Sequence, residues 1–524
     1  MVGIPKSNRC EFCRWRKTKC DEAWPTCGGC RKAGKKCSGP SRRVKFVHNG
    51  RHIREDKQKS DLFPGIPDIS LADEVSHASS TMSLLHLKNR TTTNGSTFSK
   101  LRMCTVKPSI PKKLAGSHSD LLAGKVMTYL KSSEGTGYSL GMFLSTLGFV
   151  PSMLDHNEAL FDATNLLLST WLKFCQGTDP EDMFDLRSYG RALRSLQKVL
   201  NDPKEQKSSS TLAAAIYLQT TEYLFDCTRG INQVSHSNGI YTIMMNRGPP
   251  KPGDNFGCQL IFDSFVFMFR LLLAGNIDNF FIRPEWQGAL TRFFSQFKHR
   301  APAIMEMSKL VQYATLVADA VKRLSNIRNV PSDLRDVQGL EEFAADLEDI
   351  AIKYRALDAS TIQPLLQNRK IYEEEDPISP VGTSYQFPNG ITALYFANLT
   401  SFNIVINRLR QELNIILGLD NPSIEAECLE FSGRIWRTCR YSQSLKPLCV
   451  VSFNTPMCMS YVAAGPSVRA YLLDFLRDTD SYRKSNVRRW TEEAVLTQYN
   501  ILVGRVDVDG LLEMPSLMRQ FPRV

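Results

Sequence analysis

Apolar residues recur at helical spacing along most of the chain beyond residue 121. In residues 340–354 they fall at Leu340, Phe343, Leu347, Ile350 and Tyr354, in steps of 3, 4, 3 and 4 residues. Steps of this size place all five side chains on one face of an α-helix. Similar patterns predict helices over residues 157–175, 188–201, 391–417, 424–443, 467–477 and 487–503. Because no series of strands punctuated by hairpin turns appears, the pattern predicts a large all-α domain over residues 121–524.

Residues 260–274 are almost entirely apolar. Asp263 and Arg270 interrupt the segment, and its 15 residues fall short of the roughly 20 that a membrane-spanning helix needs. We therefore predict a buried central helix and expect no membrane partner.

Residues 41–120 have a different composition. They begin with a basic tail and continue from about residue 55 with Ser, Thr, Lys, Asn and Gly, as in the run RTTTNGSTFS at residues 90–99. Such a segment cannot bury enough apolar surface to offset the entropy of ordering it, so we predict a disordered, flexible linker. No apolar heptad pattern is sustained there, so no coiled coil is predicted. The oligomeric state stays open, and a homodimer surface could lie anywhere on the helical region.

Six of the 14 cysteines lie within 28 residues near the N-terminus. The spacing C-x2-C-x6-C occurs twice with a shift of 17 residues, and the cysteines are Cys10, Cys13, Cys20, Cys27, Cys30 and Cys37. A C-x2-C pair suits the close sulfur approach that a tetrahedral zinc ion requires. The other use of such a pattern, a disulfide framework, belongs to short secreted domains. This chain is long, and its first nine residues contain no apolar signal segment.

The number of sulfurs constrains the metal site. Six sulfurs exceed the needs of one tetrahedral zinc ion and fall two short of the eight ligand positions of two ions. Two bridging sulfurs would close the difference, and the repeat makes the first cysteine of each copy, Cys10 and Cys27, the natural bridges. The alternative is one four-cysteine zinc site with two spare thiols, which leaves the repeated pattern unexplained.

Positive charge is concentrated in the same region. Residues 1–54 contain 15 Lys and Arg against 3 Asp and Glu, a net charge of +12, which is also the net charge of the whole chain. Four of the positive charges lie between the cysteines of the first copy and four between those of the second: Arg14, Arg16, Lys17 and Lys19, then Arg31, Lys32, Lys35 and Lys36. A charge so concentrated indicates binding to the phosphates of a nucleic acid.

The cysteine spacing, the run CRWRKTKC at residues 13–20, Asp21 and Pro25 together resemble the fungal binuclear zinc-cluster transcription factors. The resemblance implies a zinc-cluster DNA-binding domain over residues 8–40 that holds two zinc ions and works in the nucleus. It also implies that Lys17, with Arg16, reads CGG-type triplets, whereas Arg14 and Lys19 contact phosphates. The helical region would be a regulatory domain that contacts the transcription machinery or co-regulators. The predicted fold is thus a small zinc-stabilised module of two short helix–loop halves and a large all-α regulatory domain, joined by a disordered linker.

Two other classes of protein are alternatives to this one. The first is a scaffold whose zinc knot binds proteins, or nucleic acid without sequence preference. A knot that binds only proteins has no need for eight positive charges between its cysteines. The second is an enzyme. The sequence contains no G-x-x-x-x-G-K-[ST], G-x-S-x-G or H-E-x-x-H motif, so no catalytic activity is expected.

Three further features of the sequence are expected to be structural. His236 stands beside a predicted glycine turn at residues 236–239 and is expected to be a capping or core residue. The acidic run at residues 373–376 is expected to be an exposed loop, with a docking or activation segment as the alternative. The remaining cysteines lack metal-ligand spacing and are expected to be buried reduced thiols: Cys104, Cys175, Cys227, Cys258, Cys428, Cys439, Cys449 and Cys458.

Overall fold

The computed structural model describes residues 11–18, 20–21, 27–35, 37, 117–225, 232–274, 277–295, 302–479 and 490–505. These residues belong to two compact units, Met1–Glu74 and Val75–Val524. The described part of the first unit contains two short helices, α1 (Glu11–Trp15) and α2 (Gly28–Lys32). The predicted tail and linker at residues 41–120 lie outside the described residues except for the last four.

The second unit is mostly helical. Its described helices are α3 (His118–Ser133), α4 (Glu158–Cys175), α5 (Pro180–Met183), α6 (Leu186–Leu200), α7 (Ser209–Phe225), α8 (Asn232–Arg247), α9 (Asn255–Ala274), α10 (Pro284–Ser295), α11 (Pro302–Asn329), α12 (Val337–Gln367), α13 (Gly390–Leu417), α14 (Pro422–Ser444), α15 (Asn454–Ser460), α16 (Pro466–Thr479) and α17 (Glu492–Leu502). Every helix predicted from the apolar spacing is present, and the pattern at residues 340–354 lies inside α12. The first of these helices begins at His118, three residues before the predicted limit. Its N-terminus is capped by two hydrogen bonds: the Ser117 hydroxyl accepts the backbone N–H of Asp120, and the Asp120 carboxylate accepts the backbone N–H of Ser117.

Two long helices organise the core of this unit. Helix α7 is buried on nearly all sides and packs against α4 and α8, which suits a sequence with apolar or small residues around its whole circumference. Helix α13 packs against α12 and α14. Its buried Glu412 carboxylate accepts hydrogen bonds from Arg328 of α11 and from Arg505, which follows α17. One buried carboxylate therefore joins three segments that are far apart in the sequence.

The apolar segment predicted as a buried helix is α9. Among the described helices, α9 alone is long and apolar enough to cross a membrane, and 67% of its most apolar window is buried inside the protein. Asp263, which interrupts the apolar run, accepts the backbone N–H groups of Ser145 at 2.8 Å and Thr146 at 3.0 Å. It therefore caps the short 3-10 helix Ser145–Gly148. Burial raises the pKa of the Asp263 carboxyl against the opposing effect of these hydrogen bonds.

The acidic run at residues 373–376 is largely exposed, as predicted, but most of it is not a loop. Most of it forms strand β1 (Tyr372–Glu375), which pairs antiparallel with β2 (Thr383–Gln386) in register Glu373 to Tyr385. Helix α14 supplies partners for two of the acids: Arg437 lies 2.9 Å from Glu373, and Arg440 lies 3.1 Å from Asp376. These arginines are more than 60 residues away in sequence, so local composition could not reveal the pairing.

The glycine turn predicted at residues 236–239 is also wrong, because these residues lie inside α8. A glycine within a helix costs about 1 kcal/mol relative to alanine, which tertiary packing readily exceeds. The imidazole Nε2 of His236 lies 3.0 Å from Oε1 of the buried Glu222. His236 therefore takes part in a polar contact with the core helix α7.

Most of the described later cysteines are buried thiols, as predicted. They are Cys258, Cys428, Cys439, Cys449 and Cys458. Burial raises the pKa of Cys428 to about 12 and that of Cys258 to about 11, so both are neutral at physiological pH. Cys175, at the end of α4, is exposed, so the prediction of a buried thiol is wrong at this position. Cys104 and Cys227 lie outside the described residues.

Candidate metal centre and nucleic-acid interface

The described cysteines of the N-terminal unit converge in two groups. The first contains Cys13, Cys20 and Cys27, and the second contains Cys27, Cys30 and Cys37. Within each group, all sulfur atoms lie within 4.8 Å of one another. A tetrahedral zinc ion with Zn–S bonds of 2.3 Å holds its sulfurs about 3.8 Å apart. The observed Cys13 Sγ to Cys27 Sγ distance of 3.6 Å fits this spacing.

Cys27 belongs to both groups. A sulfur shared by two ligand sets is what a bridging thiolate requires, and the number of sulfurs in the sequence predicts such a bridge. The backbone N–H of Cys30 points at Cys27 Sγ over 3.4 Å, so the shared sulfur also accepts a hydrogen bond. Cys10, the other predicted bridge, lies outside the described residues. The thiolate-rich donor set suits zinc, which prefers sulfur and nitrogen ligands in tetrahedral geometry.

The repeat in the sequence is also a repeat in the backbone. After α1, the N–H of Thr18 donates to the carbonyl of Cys13 at 3.0 Å. Seventeen residues later, the N–H of Lys35 donates to the carbonyl of Cys30, also at 3.0 Å. Each bond closes the turn after a short helix whose central cysteine is a metal ligand candidate.

Both turns contain one residue in the left-handed conformation. In the first it is Lys17, with φ of 54°, and in the second it is Gly34, with φ of 59°. Glycine adopts this conformation at no steric cost, whereas another residue pays about 1 kcal/mol. The two turns therefore share a shape, but only the first presents a charged side chain at this position.

Asp21 connects the two copies of the pattern. Its carboxylate accepts the backbone N–H of Gly28, at 3.0 Å from Oδ1 and 2.9 Å from Oδ2. A Cβ at position 28 would lie 2.6 Å from Oδ2, so this approach needs glycine. The sequence pattern indicates Asp21 but not the need for glycine at position 28, because composition does not show a close contact between residues seven positions apart.

The exposed side of the first turn is basic. Trp15, Arg16, Lys17 and Thr18 are all exposed, and the Arg16 guanidinium lies 5.7 Å from the centre of the half-buried Phe12 ring. Lys19 and the side chain of Arg14 lie outside the described residues. In the second copy, Arg31, Lys32 and Lys35 are exposed, and Lys36 lies outside the described residues. A small metal-anchored body with a basic surface can neutralise the phosphates of a nucleic acid.

Comparisons with known proteins agree with this geometry. Residues 9–45 match the family described as the fungal Zn(2)-Cys(6) binuclear cluster domain. The chain is also similar to "Uncharacterized protein AN5342" of Emericella nidulans, with 29% identity over 180 residues. That alignment covers 34% of this chain, and it spans about a third of the relative's length. No solved structure matches the chain. Residues 9–45 are therefore a fungal-type Zn(2)-Cys(6) binuclear cluster domain, whose cysteines are placed to hold two zinc ions.

Proposed function

We propose that this protein is a sequence-specific regulator of RNA polymerase II transcription that acts in the nucleus and reads a CGG-like triplet in the major groove. The observation that carries the proposal is Lys17, an exposed cation in a left-handed turn that is anchored on both sides by the cysteine groups. Metal-anchored turns fix the direction of a side chain, which base reading requires and simple phosphate neutralisation does not.

The proposed zinc ligands are all six N-terminal cysteines. Cys27 and Cys10 bridge the two ions, so that each ion has four sulfur ligands. The ions are structural: bound zinc holds residues 8–40 together as two helix–loop halves, and no chemistry is assigned to it. Metal binding supplies most of the folding free energy of a module too small to build its own core.

The two halves have different proposed roles. The first reads bases: Lys17, with Arg16 beside it, donates hydrogen bonds to guanine O6 and N7. Arg14, Lys19 and the cations of the second half contact phosphates and set the register on the duplex. The contrast between Lys17 and Gly34 supports this division, because the second turn presents no side chain at the position of the reader.

The helical region, residues 121–524, is proposed to regulate the module and to recruit the transcription machinery or co-regulators. Residues 41–120 would serve as tether, and a homodimer would form through the helical region. No catalytic activity is part of the proposal.

Binding of the full-length, zinc-loaded protein to labelled duplexes tests the proposal. One duplex carries a CGG triplet and the other carries the same bases in scrambled order, and both are titrated from low to physiological salt. We expect a preference for the triplet that persists as salt weakens binding to both duplexes. Equal affinities at every salt concentration would contradict base reading and would favour a scaffold that binds nucleic acid without sequence preference.

A further inference from the structure

Trp15 is the last residue of α1, and its side chain is 81% exposed. Among the described residues it is the most exposed large apolar side chain, ahead of Leu334 at 71%. Leaving an indole in water forfeits the free energy that its burial would release. An exposed tryptophan on so small a module therefore calls for an explanation.

The fold of the module does not supply one. The position that corresponds to Trp15 in the second copy is Lys32, which is the last residue of α2 and is also exposed. The two turns are closed by equivalent hydrogen bonds, although α1 ends at a tryptophan and α2 ends at a lysine. The zinc module can therefore be built with a charged residue at this position, so the indole is available for another purpose.

The placement of Trp15 shows where it can act. Two residues along a helix correspond to a rotation of about 200°. Trp15 therefore projects away from Cys13, which is 1% exposed and lies against the sulfurs of its group. Arg16 and Lys17 follow at once, and all three are exposed. A surface that Lys17 contacts is consequently within reach of the indole. This step rests on the proposed function, in which that surface is the major groove.

The floor of the major groove offers one apolar group, the C5-methyl of thymine. The faces of stacked bases are not accessible in a duplex, and the remaining edges are hydrogen-bonding groups that the neighbouring cations serve better. Contact between the indole and a thymine methyl removes two apolar surfaces from water. We propose that Trp15 reads a thymine next to the triplet through this apolar contact, so that the site extends beyond the bases read by Lys17 and Arg16.

Duplexes with a fixed triplet and each of the four base pairs at the adjoining positions test this inference with the full-length, zinc-loaded protein. We expect a preference of about fourfold for thymine at one adjoining position, which is what burial of one methyl group supplies. Deoxyuridine at that position, which lacks only the methyl group, should remove most of the preference. Trp15→Ala should bind thymine and deoxyuridine equally and still prefer the triplet, whereas Trp15→Phe should keep part of the methyl effect. Lys32→Ala is the matched control and should weaken binding equally on all duplexes.

Several results would overturn the inference. One is a wild-type protein without a preference for thymine at any adjoining position; another is a response to deoxyuridine that is the same in wild type and Trp15→Ala. Equal loss of affinity on every duplex in Trp15→Ala would show that the indole packs on the sugar–phosphate backbone instead. Failure of the proposed function looks different, because the wild-type protein would then show no preference for the triplet itself.

Discussion

Lys17 and Gly34 occupy the same left-handed backbone position in two turns that are 17 residues apart, with φ angles of 54° and 59°. Glycine is the residue that the turn favours, so lysine at the first position carries a conformational cost of about 1 kcal/mol. This cost supports the role that we propose for the Lys17 side chain.

Replacing Lys17 by glycine separates the effect of this residue on base reading from its effect on the stability of the module. In Lys17→Gly the strain is relieved, so we expect the zinc content to be unchanged and the thermal stability of the module to be equal or higher. Discrimination between a CGG triplet and a scrambled duplex should fall by about 1–3 kcal/mol. Lys32→Ala is the control, and it should lower the slope of affinity against salt with little effect on discrimination. Full discrimination in the Lys17→Gly protein would show that Lys17 does not read bases.

Loss of Cys27 is predicted to remove more bound zinc than loss of a cysteine that belongs to one group only. Because Cys27 is common to both groups, Cys27→Ala should lose both zinc ions and unfold residues 8–40. Cys37→Ala removes a sulfur from one group and should retain a larger fraction of bound zinc. Cys175→Ala, at an exposed thiol of the helical unit, is the control and should keep two zinc ions per chain. The measurement is zinc per chain by native mass spectrometry, and two ions in Cys27→Ala would exclude a bridging role.

The contact between Asp21 and Gly28 can be tested as a pair. Gly28→Ala places a Cβ against the Asp21 carboxylate and should displace it, breaking its hydrogen bonds to the backbone of residue 28. We expect the zinc-loaded module to lose about 1–2 kcal/mol of stability against chelator or heat. In an Asp21→Ala background the carboxylate is already absent, so Gly28→Ala should then have little further effect. Additive losses in the double variant would show that the two residues are not coupled.

The helical unit contains an ion pair whose contribution depends on pH. The pKa of Glu425 is lowered chiefly by its hydrogen bond with the buried Arg408, whose Nη2 lies 3.0 Å from Oε1. A carboxyl with a lowered folded-state pKa stabilises the protein above its unfolded pKa of about 4.3, and this contribution is lost as the pH falls through the folded-state value.

Glu425→Gln should therefore lower the free energy of unfolding by about 1 kcal/mol at pH 7, with the difference shrinking as the medium is acidified below pH 4. Urea unfolding of the helical unit across this range measures it. Glu341→Gln, at an exposed position of α12, is the control and should have little effect at any pH. A loss in Glu425→Gln that stayed constant down to pH 3 would contradict the assigned role of the charge.

The sequence predicts the parts of this structure that depend on local periodicity. The 3, 4, 3, 4 spacing at residues 340–354 places α12 correctly because one buried face is enough to define a helix. The acidic run is exposed as predicted, but the prediction of a loop is wrong, because the run pairs with the nearby strand β2 and with Arg437, which is remote in the sequence. The six sulfurs predict a shared cysteine from stoichiometry alone, and the structure places Cys27 in both groups.

The finer features of the module lie beyond periodicity and composition. The need for glycine at position 28 follows from the approach of Asp21, and the left-handed conformation of Lys17 follows from the turn that closes on Cys13. Trp15 is a second example of a feature that periodicity and composition do not predict. Its sequence neighbours do not show whether an indole is buried or exposed, and only the geometry turns it into a candidate contact.

Selection of bound sites from random duplex DNA by the full-length, zinc-loaded protein would show whether the module reads sequence. We predict enrichment of CGG-like triplets in the wild type and loss of that enrichment in Lys17→Gly, with zinc content unchanged. Absence of any enriched motif, together with binding that is lost as salt rises, would show that the module does not read bases and would favour a scaffold that binds nucleic acid without sequence preference.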